Sequence, residues 1–386
     1  MNKSMEHYYI HWPFCKNKCH YCDFVALEKH EEFVKEYHGA LMKEMESFFK
    51  KNDQKKIPVK TVFFGGGTPS LYPLSLLEEN IDQLFRYLDR STLQEMTLEV
   101  NPEGVTHEML KAWKKLGFTR LSVGVQVLDD KVLKNLNRLQ TAQDVFKLFD
   151  KIFDYGFDVS ADLIIGLPGI SKKEWWKTVH TVLQWPINHI SIYFLTVHEN
   201  TPLAHRIHKK ELSAASDDEM VDLYQKTISL LERHGLKQYE ISNFSTPSKE
   251  SIHNMAYWQR KSYKGFGIGA ASFYDEQRHV NQKNLTSYVR QWEEGIVVEK
   301  GRSAPSIEVL TESQKRLERY MLGLRQTKGM SIKELMYQVD DPNKQRDINY
   351  DLSWLQEEGF LVVDHDRVRL TPRGMVYENE IVTKLY

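Results

Sequence analysis

Short apolar, β-rich runs alternate with longer helical patterns through the first two thirds of this 386-residue chain, and that alternation limits the fold more than any other feature. The strand candidates are residues 8–11, 59–64, 96–100, 120–125, 158–165 and 189–195. Helical patterns lie between them at 31–49, 73–88, 106–116, 142–153 and 172–183. Strand–helix units in unbroken succession predict an α/β fold, with a parallel sheet joined by right-handed crossovers. Six units are too few for the closed eight-stranded barrel, so the expectation is an open partial (β/α)6 barrel. In such folds chemistry gathers at the C-terminal ends of the strands.

The chain's three cysteines, Cys15, Cys19 and Cys22, all fall in the loop after the first strand candidate. The Cys-x3-Cys-x2-Cys spacing can supply three thiolates to a [4Fe–4S] cube and leave its fourth iron without a protein ligand. Ordinary electron-transfer clusters of this kind take four thiolates. The open iron suits S-adenosylmethionine (SAM), whose amino and carboxylate groups can chelate it. An electron from the cluster then splits the sulfonium C–S bond and leaves a carbon radical, with the protein supplying position and shielding. A zinc site with His11 or His20 as fourth ligand is the alternative, although zinc ligands usually come as two separated pairs. The odd count in a long chain argues against a disulfide framework.

Composition excludes several classes. Lys plus Arg number 52 against 53 for Asp plus Glu, so charge gives no sign of nucleic-acid or membrane-surface binding. No apolar run approaches the roughly 20 residues of a membrane span. The first seven residues lack the apolar stretch of a signal peptide. Thiols that must stay reduced imply a reducing compartment, so a cytoplasmic location is expected.

Other motifs punctuate the strand ends. Gly65-Gly-Gly-Thr-Pro follows the second strand; its glycines allow close backbone approach to a ligand, and its carbonyls could accept from the SAM ammonium. A tight strand-to-helix turn needs the same residues. Glu99 ends the third strand, where a carboxylate can hold ribose hydroxyls or serve as a capping or solvated acid. Gln126, Arg138 and Asp162 follow. Asp162 sits among Val159, Leu163, Ile164 and Ile165, so burial would demand a partner; Arg138 is one candidate, and a purely structural pair is the plain alternative.

From about residue 237 the alternation stops, giving way to a polar loop and a Gly-rich segment. Beyond Pro305, helical patterns at 312–324, 332–337 and 346–358 precede strand-like 360–363 and 367–370, as in a winged helix. The expected organisation is a core at 1–236, a connecting segment at 237–305 and a small winged-helix-like α+β domain at 306–386. Winged helices often bind DNA, but Glu357 and Glu358 do not advertise a basic recognition face, so no nucleic acid is expected.

The ordered set of motifs resembles the coproporphyrinogen-oxidase-like radical SAM family: Tyr-x-His-x-Pro-Phe before the cysteines, Gly-Gly-Gly-Thr-Pro, Glu-x-Asn-Pro, Gly-Val-Gln, Asn-Arg and Asp-Leu-Ile-x-Gly-Leu-Pro. The likeness spans nearly the whole chain. It implies that Tyr9, Tyr21, Gly66, Gly67, Thr68 and Glu99 line SAM on the cluster. It also implies that Gln126, Arg138 and Asp162 match positions holding a second SAM in the oxygen-independent oxidase.

Two features divide the family. The oxidase has a further cysteine where this chain has Phe24, and residues 253–258, His-Asn-Met-Ala-Tyr-Trp, resemble the signature of the heme-chaperone subgroup. That resemblance implies one bound heme, heme-accepting proteins (respiratory ones at the membrane among them) and an electron donor as partners. Oxidative decarboxylation of coproporphyrinogen III is the alternative activity. His253 is a suitable axial ligand to heme iron, Asn254 could orient the imidazole, and Tyr257 and Trp258 offer flat faces to a macrocycle. A loop histidine beside two core aromatics is the plain alternative.

Overall fold

The computed structural model describes residues 5–50, 56–296 and 304–386; the first four residues of the N-terminal reading lie outside these. The chain forms two compact units, Met1–Ser216 with Ser262–Glu308, and Asp217–Lys261 with Val309–Tyr386.

In the first unit, β1 (His7–Trp12), β2 (Thr61–Gly66), β3 (Glu95–Val100), β4 (Arg120–Gln126), β5 (Asp158–Ile165) and β6 (His189–Phe194) lie side by side in chain order. Every neighbouring pair is parallel. Helices α1 (Val34–Lys50), α2 (Leu74–Tyr87), α3 (His107–Leu116), α4 (Asp130–Asn135), α5 (Ala142–Ile152) and α6 (Lys172–Val182) fill the crossovers. Their starts are written locally: Thr106 caps α3, and Thr141 and Ser171 form reciprocal capping boxes on α5 and α6.

β1 does not close onto β6. Its second neighbour is β7 (Tyr263–Phe266), also parallel, which continues into antiparallel β8 (Ala271–Tyr274) and β9 (Gln277–Val280). The barrel is therefore open, as expected, but longer on the β1 side than the sequence pattern indicates. Gly265 explains why β7 was not legible. A Cβ there would stand 2.2 Å from the Ala271 carbonyl oxygen, so the position excludes the bulky residues that mark a strand.

Strand alternation sorts the sheet into two chemically different faces. Ile10, Val62, Phe64, Met96, Leu98, Leu121, Val123, Val159, Ala161, Ile190 and Ile192 are all fully buried on one side. The other side, fixed by the cross-strand register, carries Tyr9 and His11, Gly65, Thr97 and Glu99, Ser122 and Gly124, Ser160 and Asp162, and Ser191. A polar face inside a partial barrel is a place for a ligand, because buried polar groups need partners.

The second unit contains the helix Asp217–Arg233, an antiparallel hairpin of Lys237–Glu240 with Asn243–Ser245, and the short helix Ile252–Trp258. It continues with Glu312–Leu324, Ile332–Leu335 and Pro342–Glu357, and a three-stranded antiparallel sheet of Met330–Ser331, Arg367–Leu370 and Leu361–Asp364. Tyr320, Leu324, Leu335, Ile348, Leu355 and Val368 lie in its core. The helices and hairpin have the expected winged-helix-like form. No helix among the described residues is long and apolar enough to cross a membrane.

Candidate cofactor-binding site

The cysteine loop is positioned by backbone bonds made by residues around the thiols. The His20 amide donates to the Leu136 carbonyl at 3.0 Å, and the Leu203 amide donates to the His20 carbonyl at 2.9 Å. Asn137 Nδ2 donates to the Lys18 carbonyl at 2.9 Å, and the Lys18 amide to Glu28 Oε2 at 2.9 Å. Tyr21 packs on the apolar cluster of Val127, Val132, Leu133, Leu136, Leu167 and Leu203.

The three thiols are unpaired and half-buried. Thr68 Oγ1 donates to Cys15 Sγ at 3.3 Å, and Arg138 Nη1 reaches Cys19 Sγ at 3.5 Å. Burial pushes the Cys15 thiol up to about 11, against the pull of the Thr68 bond, and also raises Cys22. This donor set fits a [4Fe–4S] cube, in which each thiolate takes its own iron. It does not fit a zinc site completed by His11. Nε2 of that imidazole lies 2.8 Å from the Val25 carbonyl and must donate to it, which leaves Nδ1 to accept from the Tyr9 hydroxyl at 3.0 Å. Burial also holds the His11 pKa down to about 4, so the ring is neutral and fully engaged.

The Gly-rich turn is zipped to the segment that leads into Cys15. The Gly67 amide donates to the Trp12 carbonyl at 2.7 Å and the Thr68 amide to the Phe14 carbonyl at 3.0 Å. Gly66 has φ +117°, and a Cβ on it would stand 2.5 Å from the His11 ring. A Cβ on Gly67 would stand 2.5 Å from the Pro13 carbonyl oxygen. The Gly66 amide donates to Glu99 Oε2 at 2.9 Å. Burial raises the Glu99 carboxyl to about 8, the Gly66 bond lowers it, and the charge of Asp162 adds to the rise. The structure thus brings Tyr9, Gly66, Gly67, Thr68 and Glu99 together beside Cys15.

Arg138 bridges to the next group. Its Nη2 donates to Asn101 Oδ1 and the Gly124 carbonyl, both at 3.2 Å, and to Gln140. Its Nε is buried without a partner among the described residues. Gln126 has φ +57° beside the register shift at the end of β4 and accepts from Gln140 Nε2 at 3.1 Å. A non-glycine residue held at positive φ is a feature that clusters at ligand sites.

Asp162 is satisfied by hydroxyls and not by Arg138, the candidate partner read from sequence. Ser122 and Ser160 donate to its two oxygens at 2.6 and 2.8 Å, and burial raises its pKa against these bonds. Ser160 also lies 2.7 Å from His189 Nδ1. The serines, Asn101 and Gln140 were missed in the sequence. Asn101 had a signal, since it lies in the Glu-x-Asn-Pro motif; the serines had none short of the strand register.

In the second unit, His253 is buried at 1% exposure, with Nε2 2.8 Å from the Tyr257 hydroxyl. The two rings are almost perpendicular, at 84°. Asn254 and Trp258 lie one helical turn apart on the same helix, half-buried. The Arg325 guanidinium stacks over the Trp258 ring at 4.2 Å, and Gln326 Nε2 donates to the Trp258 carbonyl at 2.9 Å.

Residues 9–182 match the model of the radical SAM superfamily, and residues 310–377 match the HemN C-terminal domain. The chain is 34% identical to the heme chaperone HemW of Bacillus subtilis, across 98% of both chains. It is 30% identical to the HemW of Synechocystis, across 98% of this chain and 95% of the relative. It is 31% identical to the zebrafish mitochondrial radical S-adenosyl methionine domain-containing protein 1, across 97% and 85%. Among solved structures, coproporphyrinogen III oxidase (HemN) from Escherichia coli matches with a TM-score of 0.83 over 99% of this chain and 90% of that one. At 21% identity this likeness establishes the fold. With its open six-stranded barrel, its cysteine loop and a full-length likeness to these relatives, the chain belongs to the HemW family of radical SAM proteins.

Proposed function

We propose that this protein is a heme chaperone, which binds one heme and hands it to acceptor proteins while carrying a three-cysteine [4Fe–4S] cluster with exchangeable SAM. The observation that carries the reading is the coexistence, in one chain 34% identical to a named heme chaperone, of the cysteine loop and the His253–Trp258 helix. In this reading Cys15, Cys19 and Cys22 hold the cluster, and Tyr9, Tyr21, Gly66, Gly67, Thr68 and Glu99 line the SAM. Gln126, Arg138 and Asp162 form a second polar lining for the same class of ligand. When bound, cluster and SAM supply one-electron chemistry. Arg138 offsets negative charge beside Cys19, and the glycines let the turn pack closely against His11 and Pro13, which lead into Cys15.

His253 is the heme ligand in this account, with Asn254, Tyr257 and Trp258 around it. For the imidazole to reach iron through Nε2, it must exchange the Tyr257 hydroxyl for the metal. The heme acceptors are respiratory proteins, some at the membrane. An electron donor serves the cluster, and the location is cytoplasmic.

Hemin titration of the reconstituted protein tests this: one heme per chain, weakened in His253→Ala, and passed on to an apo-hemoprotein. Binding no stronger than that of an unrelated protein would remove the reading. Anaerobic incubation with coproporphyrinogen III, SAM and a reductant should give no protoporphyrinogen; its formation would restore the oxidase alternative.

A further inference from the structure

A cavity of about 620 Å³ lies wholly within the second unit, bounded on one side by Trp258 at the end of the His253 helix. Its size is that of a small-molecule site. Arg319, Leu322 and Gly323 form one wall at the three-and-four spacing of a single helix face. Tyr337 lines another part.

The lining is strongly cationic. Arg260, Lys261, Arg319, Lys328, Lys333 and Arg367 all face the cavity, against the one acid Glu334. The whole chain carries a net charge of −1, so this concentration does not follow from composition. Arg260 is committed to Glu318 at 2.6 Å, and Arg367 donates to the Lys328 and Gly329 carbonyls. Among the described residues no carboxylate lies within ion-pair distance of Lys261, Arg319, Lys328 or Lys333; Glu312 and Glu334 feel the charges of Arg319 and Lys328 from farther away. Arg319 rests on the Tyr337 ring at 4.7 Å. A cleft lined by one sign of charge concentrates its field and favours an anionic ligand.

We propose that this cavity receives the carboxylate side chains of a flat aromatic macrocycle, the propionates of heme, and so fixes which edge of the ring enters beside Trp258. The proposal rests on the heme reading given above and deepens it. A planar guanidinium takes a carboxylate through two parallel bonds, and lysine ammoniums add charge from the rim. Single-stranded nucleic acid needs an extended groove with successive stacking platforms, whereas these cations converge on one concave volume.

The test titrates the full chain with hemin, hemin dimethyl ester and metal-free protoporphyrin IX, using wild type and Lys328→Glu/Lys333→Glu. Both lysines are exposed, so the fold should survive; circular dichroism checks this, and Lys328→Gln/Lys333→Gln replaces the pair if it does not. Losing a charged contact weakens binding by about tenfold. Hemin and the metal-free ring should therefore both bind the variant about tenfold or more weakly, since carboxylates and not iron are being read. The diester should bind wild type weakly and be indifferent to the charge change. Equal binding of hemin and its diester by wild type, or wild-type affinity in a folded variant, would overturn the proposal while leaving the heme reading intact. Failure of wild type to bind hemin at all would overturn the heme reading, and this proposal with it.

Discussion

The Gly66 amide donates to Glu99 Oε2 across 2.9 Å, tying the last residue of β2 to the end of β3. Because burial raises that carboxyl to about 8, the folded ligand-free protein holds a proton there that the unfolded chain releases near its ordinary value. Folded protein binds more protons between these two pKa values, so stability falls as pH rises through that window. Glu99→Gln should flatten the decline and raise the melting temperature at pH 8 by a few degrees relative to wild type. Thermal unfolding from pH 5 to 9 measures it; an unchanged slope would mean that Glu99 is ionised throughout.

Gly66→Ala should destabilise the protein by about 2–4 kcal/mol, combining a disfavoured backbone conformation with overpacking. The cause is the φ of +117° and the His11 ring 2.5 Å from the added methyl. Denaturant unfolding without cofactors reads it.

Cys19→Ala should abolish the broad iron–sulfur absorption and leave far-ultraviolet circular dichroism largely intact. The loop is held by the Leu136 and Leu203 backbones and the Asn137 side-chain amide, independently of the thiols. A collapse of the dichroism would show that the cluster is part of the fold.

Arg138→Lys keeps the charge and loses the fork that joins Asn101, Gly124 and Gln140. A loss of about 1–3 kcal/mol is expected from the broken charged hydrogen bonds, together with poorer cluster reconstitution. Iron content per folded chain separates the two effects.

In the second unit, Arg325 Nε donates to Glu240 Oε2 at 2.7 Å, with the glutamate fully buried and the arginine side chain 25% exposed. Burial raises Glu240, and Arg325 is the leading opposing influence. Arg325→Ala should cost about 3 kcal/mol, at the lower end of the range for a broken buried pair, because Asn243 and the Ser242 amide still donate to the carboxylate. Arg325→Ala/Glu240→Gln should recover part of that loss in denaturant melts.

The six parallel strands were legible because each is a short β-rich run whose apolar residues bury one face of the sheet, and β5 was read with both ends correct. The second strand was read two residues early, since its last residues, Gly65 and Gly66, look like a turn in sequence yet pair with His11 and Trp12. The helix Asp217–Arg233 went unmarked although Leu223, Leu230 and Leu231 recur at helical spacing. The partner of Asp162 was hidden for a different reason: Ser122 and Ser160 become neighbours only through the register of β4 and β5. The cationic cavity draws on segments around residues 260, 319, 328, 333 and 367, and no local pattern joins them.

The most direct measurement is anaerobic reconstitution with iron and sulfide, followed by EPR of the reduced protein with and without SAM. The expected result is about four irons per chain and a signal whose shape changes when SAM is added. Protein that takes up no cluster, or a cluster whose spectrum ignores SAM, would contradict the account at its foundation.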